Sequence, residues 1–496
     1  MQTRLSPAQI NSDPRILLNI LRELRQEIVD EGDAIFNHWQ PAIRRDFLIS
    51  AHNLAYYLAL RKRDLRPLQA ALIPWGLSSL GRIEARVLPN LDAVIATLGA
   101  VCGENIPRPR MSLFARGDRL LRRQTEHVFG PEPQERRVHI MVTMPTEAAH
   151  NYSLIHDLMM RGMDCIRINC AHDTPVEWDA IINHVRRAEA ETGLRCKVAM
   201  DLGGPKLRTQ KVIAPEKGRL KRNDVLRLIT DEPHPSEEFE FQAQCSLPEL
   251  FMQVQVGAQV WIDDGKTGCL VESVNSTEMI LRVTQASAKG EKLKPEKGIN
   301  FPDTELNLPA LTDQDLIDLD FIANNADIVL YSFVQDANDI RQLQEALAER
   351  LDDPRKIAIV AKVETQRAIN NLPEIIVQAA GLHPLAILIA RGDLAVEIGY
   401  ERLAEMQEQI MWLCEAAHVP VIWATQVLEN LVKKGRPSRA EMTDAAMSER
   451  SECVMLNKGT YIREAVTILD DVLRRMADHQ SKKTPQLRAL RSWQGE

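Results

Sequence analysis

From residue 138 onward, short β-branched runs alternate with amphipathic helical windows, and this alternation limits the fold more than any other feature of the chain. The runs are VHIMVTM, DCIRIN, CKVAMDL, ADIVLYSF, KIAIVAKVE, PLAILIAR, VPVIWAT and ECVMLN. They read as fully buried strands, and strands of that kind joined by helices form parallel sheets. Eight of them with intervening helices predict an α/β fold, a (β/α)8 TIM barrel.

Two segments fall outside this rhythm. Residues 12–130 are helical throughout, with apolar residues at three and four spacing in PRILLNILRELRQEIV, FLISAHNLAYYLALRKR and LDAVIATLGAV. The Pro-rich, charged stretch GPEPQERR then marks a linker, so an all-α N-terminal domain precedes the barrel. Between the third strand and the helix at TDQDLIDLDFIANN lies an insertion of short strands and turns such as GAQVWIDDGKTG. It predicts a small β-barrel domain that leaves and re-enters at the C-terminal face of the barrel, where it can act as a lid. The expected division is 1–135 (helical), 136–210 and 301–480 (barrel), 211–300 (lid) and 481–496 (tail).

A length of 496 residues accommodates about three domains. A formal charge of −8 argues against a general nucleic-acid binder, while leaving room for a local basic pocket. No apolar run approaches the ~18 residues of a membrane span. The start, MQTRLSPAQINSDPR, lacks the apolar core of a signal peptide, so a cytoplasmic location is expected. The eight cysteines are scattered without a CxxC pair and predict neither a zinc site nor a disulfide framework.

Reactive residues of a barrel enzyme collect where strands end. Here the second strand runs into Arg167, Asn169 and His172, the third into Asp201, Lys206 and Arg208, the fifth into Lys362 and Glu364, and the sixth into Arg391 and Asp393. The seventh ends at Thr425. Four cation-bearing ends predict a multiply charged anion in the mouth. Lys362 and Glu364, two apart on a strand, project to one face. Glu364 and Asp393 can share one hard divalent cation whose shell a substrate completes, although either alone can equally be an ordinary salt-bridge partner. The RGD at 391–393 precedes a helical segment, so its backbone N–H groups can seat an anion, and Gly392 allows close approach. No GxxxxGK[ST] or GxGxxG motif is present.

Taken together, RINCAH, AMDLGGPKLRT, IDDG, KGINFPDTELNLPALTDQD, YSFVQDANDI, IVAKVETQRAINNL, ILIARGDLAVEIG, VPVIWATQVLENLVKKGRPSRAEMTDAA and CVMLN resemble the pyruvate kinase family over residues 136–476. The resemblance implies phosphoenolpyruvate and ADP bound between barrel and lid, with pyruvate and ATP as products and Mg2+ (or Mn2+) as the metal. Carried over position by position, Glu364 and Asp393 resemble the metal ligands, Lys362 and Arg167 the cations at the transferring phosphoryl group, and Thr425 the residue beside the carbon to be protonated. Arg391, Gly392, Asp393, Thr425 and Ser332 match the substrate side, and Asn169, His172, Arg208, Pro145 and Lys297 the nucleotide side.

Departures carry expectations of their own. At the family's monovalent-cation site this chain has Asn169, Ala171, Asp201, Leu202 and Lys206, so two oxygen ligands are absent and a Lys206 ammonium can replace K+. Activity without K+ is the expectation. In CVMLNKGTY, Asn457 and Gly459 stand where the family has a hydroxyl and a carboxylate, and TMPTEAA is one residue short of the usual first-strand turn. The sequence ends soon after the eighth helix, so the family's C-terminal domain and its effector site are not expected; the helical N-terminal unit is either a replacement interface in a homo-oligomer or a regulatory unit, or else a stabilising cap on the barrel base. Two other readings fit the same mouth: a Mg2+-dependent 2-oxo acid lyase or aldolase, and a non-catalytic sensor of phosphorylated metabolites.

Overall fold

The computed structural model describes residues 12–485 apart from 41–42, 78 and 483; the end of the expected tail, 486–496, lies outside the described residues. Eight parallel strands close into a barrel: His139–Thr143, Cys165–Asn169, Lys197–Asp201, Ile328–Tyr331, Ala358–Val363, Leu385–Ala390, Val421–Ala424 and Cys453–Leu456, the eighth pairing with the first. Each is one of the eight apolar runs. Their inward side chains, among them Met141, Ala199, Leu330, Val360, Leu388 and Ile422, form one interior core. The helices pack outside it through their apolar stripes, as in Ile462–Met476, which buries Ile462, Ala465, Val466, Leu469 and Leu473 at helical spacing.

The N-terminal helices start at Pro14–Trp39, where Pro14 occupies the first turn and the Asp13 side chain accepts the Arg15 N–H at 2.8 Å. They continue the barrel's hydrophobic core rather than forming one of their own. Helix Arg116–Phe129 ends by placing Val128 and Phe129 against the barrel interior, with Phe129 beside His139 at the start of the first strand. Just ahead of the seventh strand, His418 bonds Ser50 Oγ and Ala85 O, both at 2.9 Å, and Asn53 Nδ2 donates to Ala416 O at 2.8 Å. All of these contacts are at the N-terminal ends of the strands. The unit thus covers the base of the barrel, the end opposite the C-termini of the strands.

Arg136 joins the first and last barrel units. Its guanidinium, 4% exposed, reaches Asp470 Oδ1 and Asp164 Oδ2, each at 2.8 Å, and the carbonyls of Val138 and Gly162. Burial, opposed by Arg136, pushes the Asp164 carboxyl above its usual value. Arg136→Met leaves Asp164 and Asp470 buried without their shared cation, and the expected loss of stability is about 3–5 kcal/mol. A markedly lower urea midpoint, with any surviving folded fraction retaining its circular dichroism, is the check.

The insertion is a seven-stranded curled sheet whose spatial order runs Ile299–Asn300, Gln259–Ile262, Thr267–Val274, Glu278–Gln285, Val225–Ile229, Phe241–Cys245, Thr209–Ile213. Its two edges meet through an Arg208–Gly298 bridge and the Thr209 N–H to Lys297 O bond of 2.9 Å, which brings the outgoing and returning chains together over the barrel mouth. It has its own core, including Leu226, Leu228, Val260, Val271 and Leu281. A Cβ added to Gly265, in the IDDG turn, would lie 3.3 Å from Val396 Cγ2 and 3.4 Å from Tyr400 Oη, so the lid tip touches the barrel helices.

Candidate active site

Beneath the lid, the strand ends enclose a cavity of about 270 Å³. Ten of the residues expected from sequence line it: Arg167, Asn169, Lys206, Arg208, Ser332, Lys362, Glu364, Gly392, Asp393 and Thr425. The two carboxylates expected to share a metal thus face the same mouth. Asp264 from the lid, Phe333 and Gln426 from barrel loops and Glu429 from the first turn of the helix Glu429–Lys434 also line it, and sequence reading did not select them. The only signal for Asp264 was its place in the IDDG turn, where it adopts φ 53°.

The floor is a charge network. Asp201, 1% exposed, accepts from Arg167 Nε at 2.8 Å, pairs with Arg167 Nη2, and lies 3.5 Å from Lys362 Nζ. Lys362 Nζ also donates to Ser332 Oγ at 2.7 Å and sits 3.1 Å from Glu364 Oε1. Glu364 Oε2 accepts the Phe333 N–H at 2.8 Å. Burial raises the Asp201 carboxyl, but Lys362 and Arg167 outweigh it and hold the group below its ordinary range. For Lys362, burial works downward and Asp201 with Glu364 overcomes it, so the ammonium is held above its usual value. Glu364 is pushed up, by burial first and by Asp393, against Lys362.

Among the described residues no three His, Cys, Asp or Glu side chains form a metal cluster. Glu364 and Asp393, both lining the cavity, would offer a metal two hard oxygen ligands and leave most of its coordination shell open. That donor set suits Mg2+, which keeps waters and substrate oxygens, and not a metal needing a full protein cage. Glu364 is 2% exposed and raised in pKa, so a nearby cation relieves the cost of its charge. Lys206 Nζ lies 3.2 Å from Asp393 Oδ1, adding a fixed positive charge at the third-strand side.

The sixth-strand loop places its expected residues differently from one another. Arg391, read as substrate-binding, does not line the cavity: its guanidinium pairs with Asp444, donates to Ala424 O at 2.8 Å and Thr425 O at 2.6 Å, and packs over Trp423. A strand-end cation here anchors the neighbouring loop. The Gly392 N–H, expected to be available to an anion, donates to Thr425 Oγ1 at 2.8 Å. A Cβ on Gly392 would meet nothing closer than 3.7 Å, so the glycine leaves space toward the cavity and is not demanded by protein packing. Thr425 itself has φ 62°, a left-handed conformation unfavourable for a β-branched residue. Arg391 and Gly392 hold it there.

Three residues expected on the nucleotide side are not among those lining the cavity. Pro145 is half-buried before the turn Thr146–Ala149, His172 is exposed on the loop after the second strand, and Lys297 Nζ is bound to Asp263 Oδ1 at 2.9 Å on the lid. The neighbouring Arg208 reaches the cavity.

A lidded parallel barrel with a cation-rich, two-carboxylate mouth is the class of protein defined by this fold and site. A family model described as the pyruvate kinase barrel domain matches residues 135–466. Among curated proteins, pyruvate kinase 2 of Trypanosoma brucei brucei is 32% identical over 361 residues, covering 69% of this chain and 68% of that protein. The pyruvate kinase of Candida albicans is 30% identical over 347 residues and that of Dictyostelium discoideum 32% over 350, each covering 68% of this chain and 66% of the relative. The chain therefore belongs to the pyruvate kinase family, and its matched part spans about two thirds of the length of these relatives. No helix among the described residues is long and apolar enough to cross a membrane.

Proposed function

We propose that the protein transfers the phosphoryl group of phosphoenolpyruvate to ADP, giving pyruvate and ATP, as a cytoplasmic glycolytic enzyme that needs Mg2+ and not K+. One observation carries this reading: in a member of this family, Lys362, Arg167, Glu364 and Asp393 converge on one cavity under the lid. Phosphoryl transfer asks a protein for positioning and charge neutralisation more than covalent chemistry. Arg167 and Lys362, fixed by Asp201, present positive charge where the phosphoryl group passes. Mg2+, held by Glu364 and Asp393, supplies Lewis-acid charge when bound. Thr425, gripped by Arg391 and Gly392, stands beside the carbon that takes up a proton, and Ser332 orients Lys362. Asn169, His172, Arg208, Pro145 and Lys297 form the nucleotide side, and the lid excludes water from the transfer.

The reading of K+ independence is supported by the Lys206 ammonium in the mouth, which pairs with Asp393, and by Ala171 and Leu202, which offer no side-chain oxygen to a monovalent cation. The test is a coupled assay for ADP-dependent pyruvate formation in tetramethylammonium buffer. Turnover is expected without K+, and adding it should change the rate by less than about twofold, since a fixed ammonium already fills the charge position. Strong activation by K+ would reject this part of the reading. Pyruvate release without ADP would point to a lyase, and ligand binding without turnover to a sensor.

A further inference from the structure

Three residues of the loop between the seventh strand and the helix Glu429–Lys434 are left-handed: Thr425, Gln426 and Leu428, with φ of 62°, 57° and 49°. That conformation is unfavourable for any side chain and most of all for a β-branched threonine. It persists only where the surrounding structure imposes it.

One helix, Arg439–Met447, grips both ends of this loop. At the near end Asp444 accepts from Arg391 Nη2 at 2.9 Å and from Trp423 Nε1 at 3.2 Å. Arg391 in turn donates to the carbonyls of Ala424 and Thr425, so the charge of Asp444 fixes the fork that holds the first peptide groups of the loop. At the far end the Glu441 carboxylate accepts the Asn430 N–H while closing the capping box of its own helix on Ser438. Burial raises the Glu441 carboxyl, but the bonds from Ser438 and Asn430 outweigh it and hold the group below its ordinary range. Neither acid is among the residues lining the cavity.

This clamp presents the Thr425 hydroxyl to the mouth. Its Oγ1 accepts the Gly392 N–H at 2.8 Å, and a hydroxyl has one hydrogen of its own, which is then left for a group in the cavity that Thr425 lines. A proton donor works only within hydrogen-bond reach of its target, whereas a fixed charge acts over a longer range. A loosened loop is therefore felt in proton delivery before it is felt in phosphoryl transfer.

We propose that Asp444 and Glu441 are positioning residues for protonation: by clamping the loop from one helix they aim the Thr425 hydroxyl at the enolate carbon left when the phosphoryl group departs. This rests on the phosphotransferase reading and deepens it. A C–H bond forms as the Thr425 O–H bond breaks, and water returns a proton to the oxygen.

The reverse of that step can be followed by itself. In D2O with Mg2+, pyruvate methyl hydrogens exchange for deuterium through the same enolate, and proton NMR reads their loss without ADP or phosphoenolpyruvate. Full-length wild type is compared with Asp444→Asn, Glu441→Ala and Glu441→Gln, with melting curves to verify folding. Exchange should slow about 30-fold in Asp444→Asn and about tenfold in Glu441→Ala, while Glu441→Gln, which keeps an oxygen for the Asn430 N–H, should stay within about threefold of wild type. In a single turnover with phosphoenolpyruvate and ADP, ATP formation should fall by less than about threefold in the same variants, because the charges at the phosphoryl group are untouched. Unchanged exchange in Asp444→Asn and Glu441→Ala, equal falls in exchange and ATP formation, or no exchange by wild type overturns the proposal. Should Asp444→Asn not fold, the two Glu441 variants decide. Wild type that exchanges methyl hydrogens but forms no ATP removes the phosphotransferase reading alone, and the exchange rates of the variants still decide the positioning roles.

Discussion

Lys362→Met lowers the kcat for pyruvate formation by about 10²–10³-fold with a smaller change in KM, the effect of removing one preorganised charge from a water-poor site. Lys362 is fixed by Ser332 Oγ at 2.7 Å and Glu364 Oε1 at 3.1 Å, and Asp201 and Glu364 hold its ammonium above the usual pKa. It stays protonated throughout the working range, so in the proposed reaction it would supply positive charge to the phosphoryl group and not abstract a proton. The same variant deprives Asp201 of one of its two cations. Because the folded carboxyl lies below its unfolded value, Asp201 contributes stability above the unfolded pKa of about 4 and loses it as pH falls through the lowered folded value. Without Lys362 the folded pKa rises, and melting temperature should begin to fall at a higher pH than in wild type. A variant of near wild-type kcat would end the assignment.

The proposed metal ligands give the second large effect. Asp393→Ala and Glu364→Gln should each raise the Mg2+ concentration for half-maximal activity and reduce saturated turnover about 10²-fold, corresponding to about 3 kcal/mol of lost charge stabilisation. Loss of Mn2+ binding, followed by the resonance signal of the free ion, should accompany each. The double variant should be little worse than either single one, since residues sharing one ion do not act independently. Full additivity, or unaltered metal dependence in Asp393→Ala, would mean that the two carboxylates do not serve a common ion.

The eight strands were legible because a strand buried on both faces must be a short continuous apolar run, and runs such as LAILIA and CVML have no other way to be satisfied. The helical unit was legible from its period, but not where it docks. That Val128 and Phe129 close the barrel floor depends on complementary shapes brought together from distant parts of the chain. The insertion was legible as short strands and turns, while its strand order and joined edges depend on pairings over long separations, such as Arg208 with Gly298.

At the site the division is similar. Residue types at strand ends named Lys362, Glu364, Asp393 and Arg167, because a parallel barrel turns those positions toward one mouth. Sequence could not distinguish a cation that faces the mouth from one that braces it. Arg391 sits at a strand end as Arg167 does, yet Asp444, from the helix Arg439–Met447, and the Thr425 carbonyl draw its guanidinium away. Strand period and chain order, which are local, decided the barrel and which residues arrive at its rim. The pairing of each charge was decided only by the assembled tertiary structure, because a buried ion settles on whichever opposite charge or carbonyl the folded chain brings within a few ångströms.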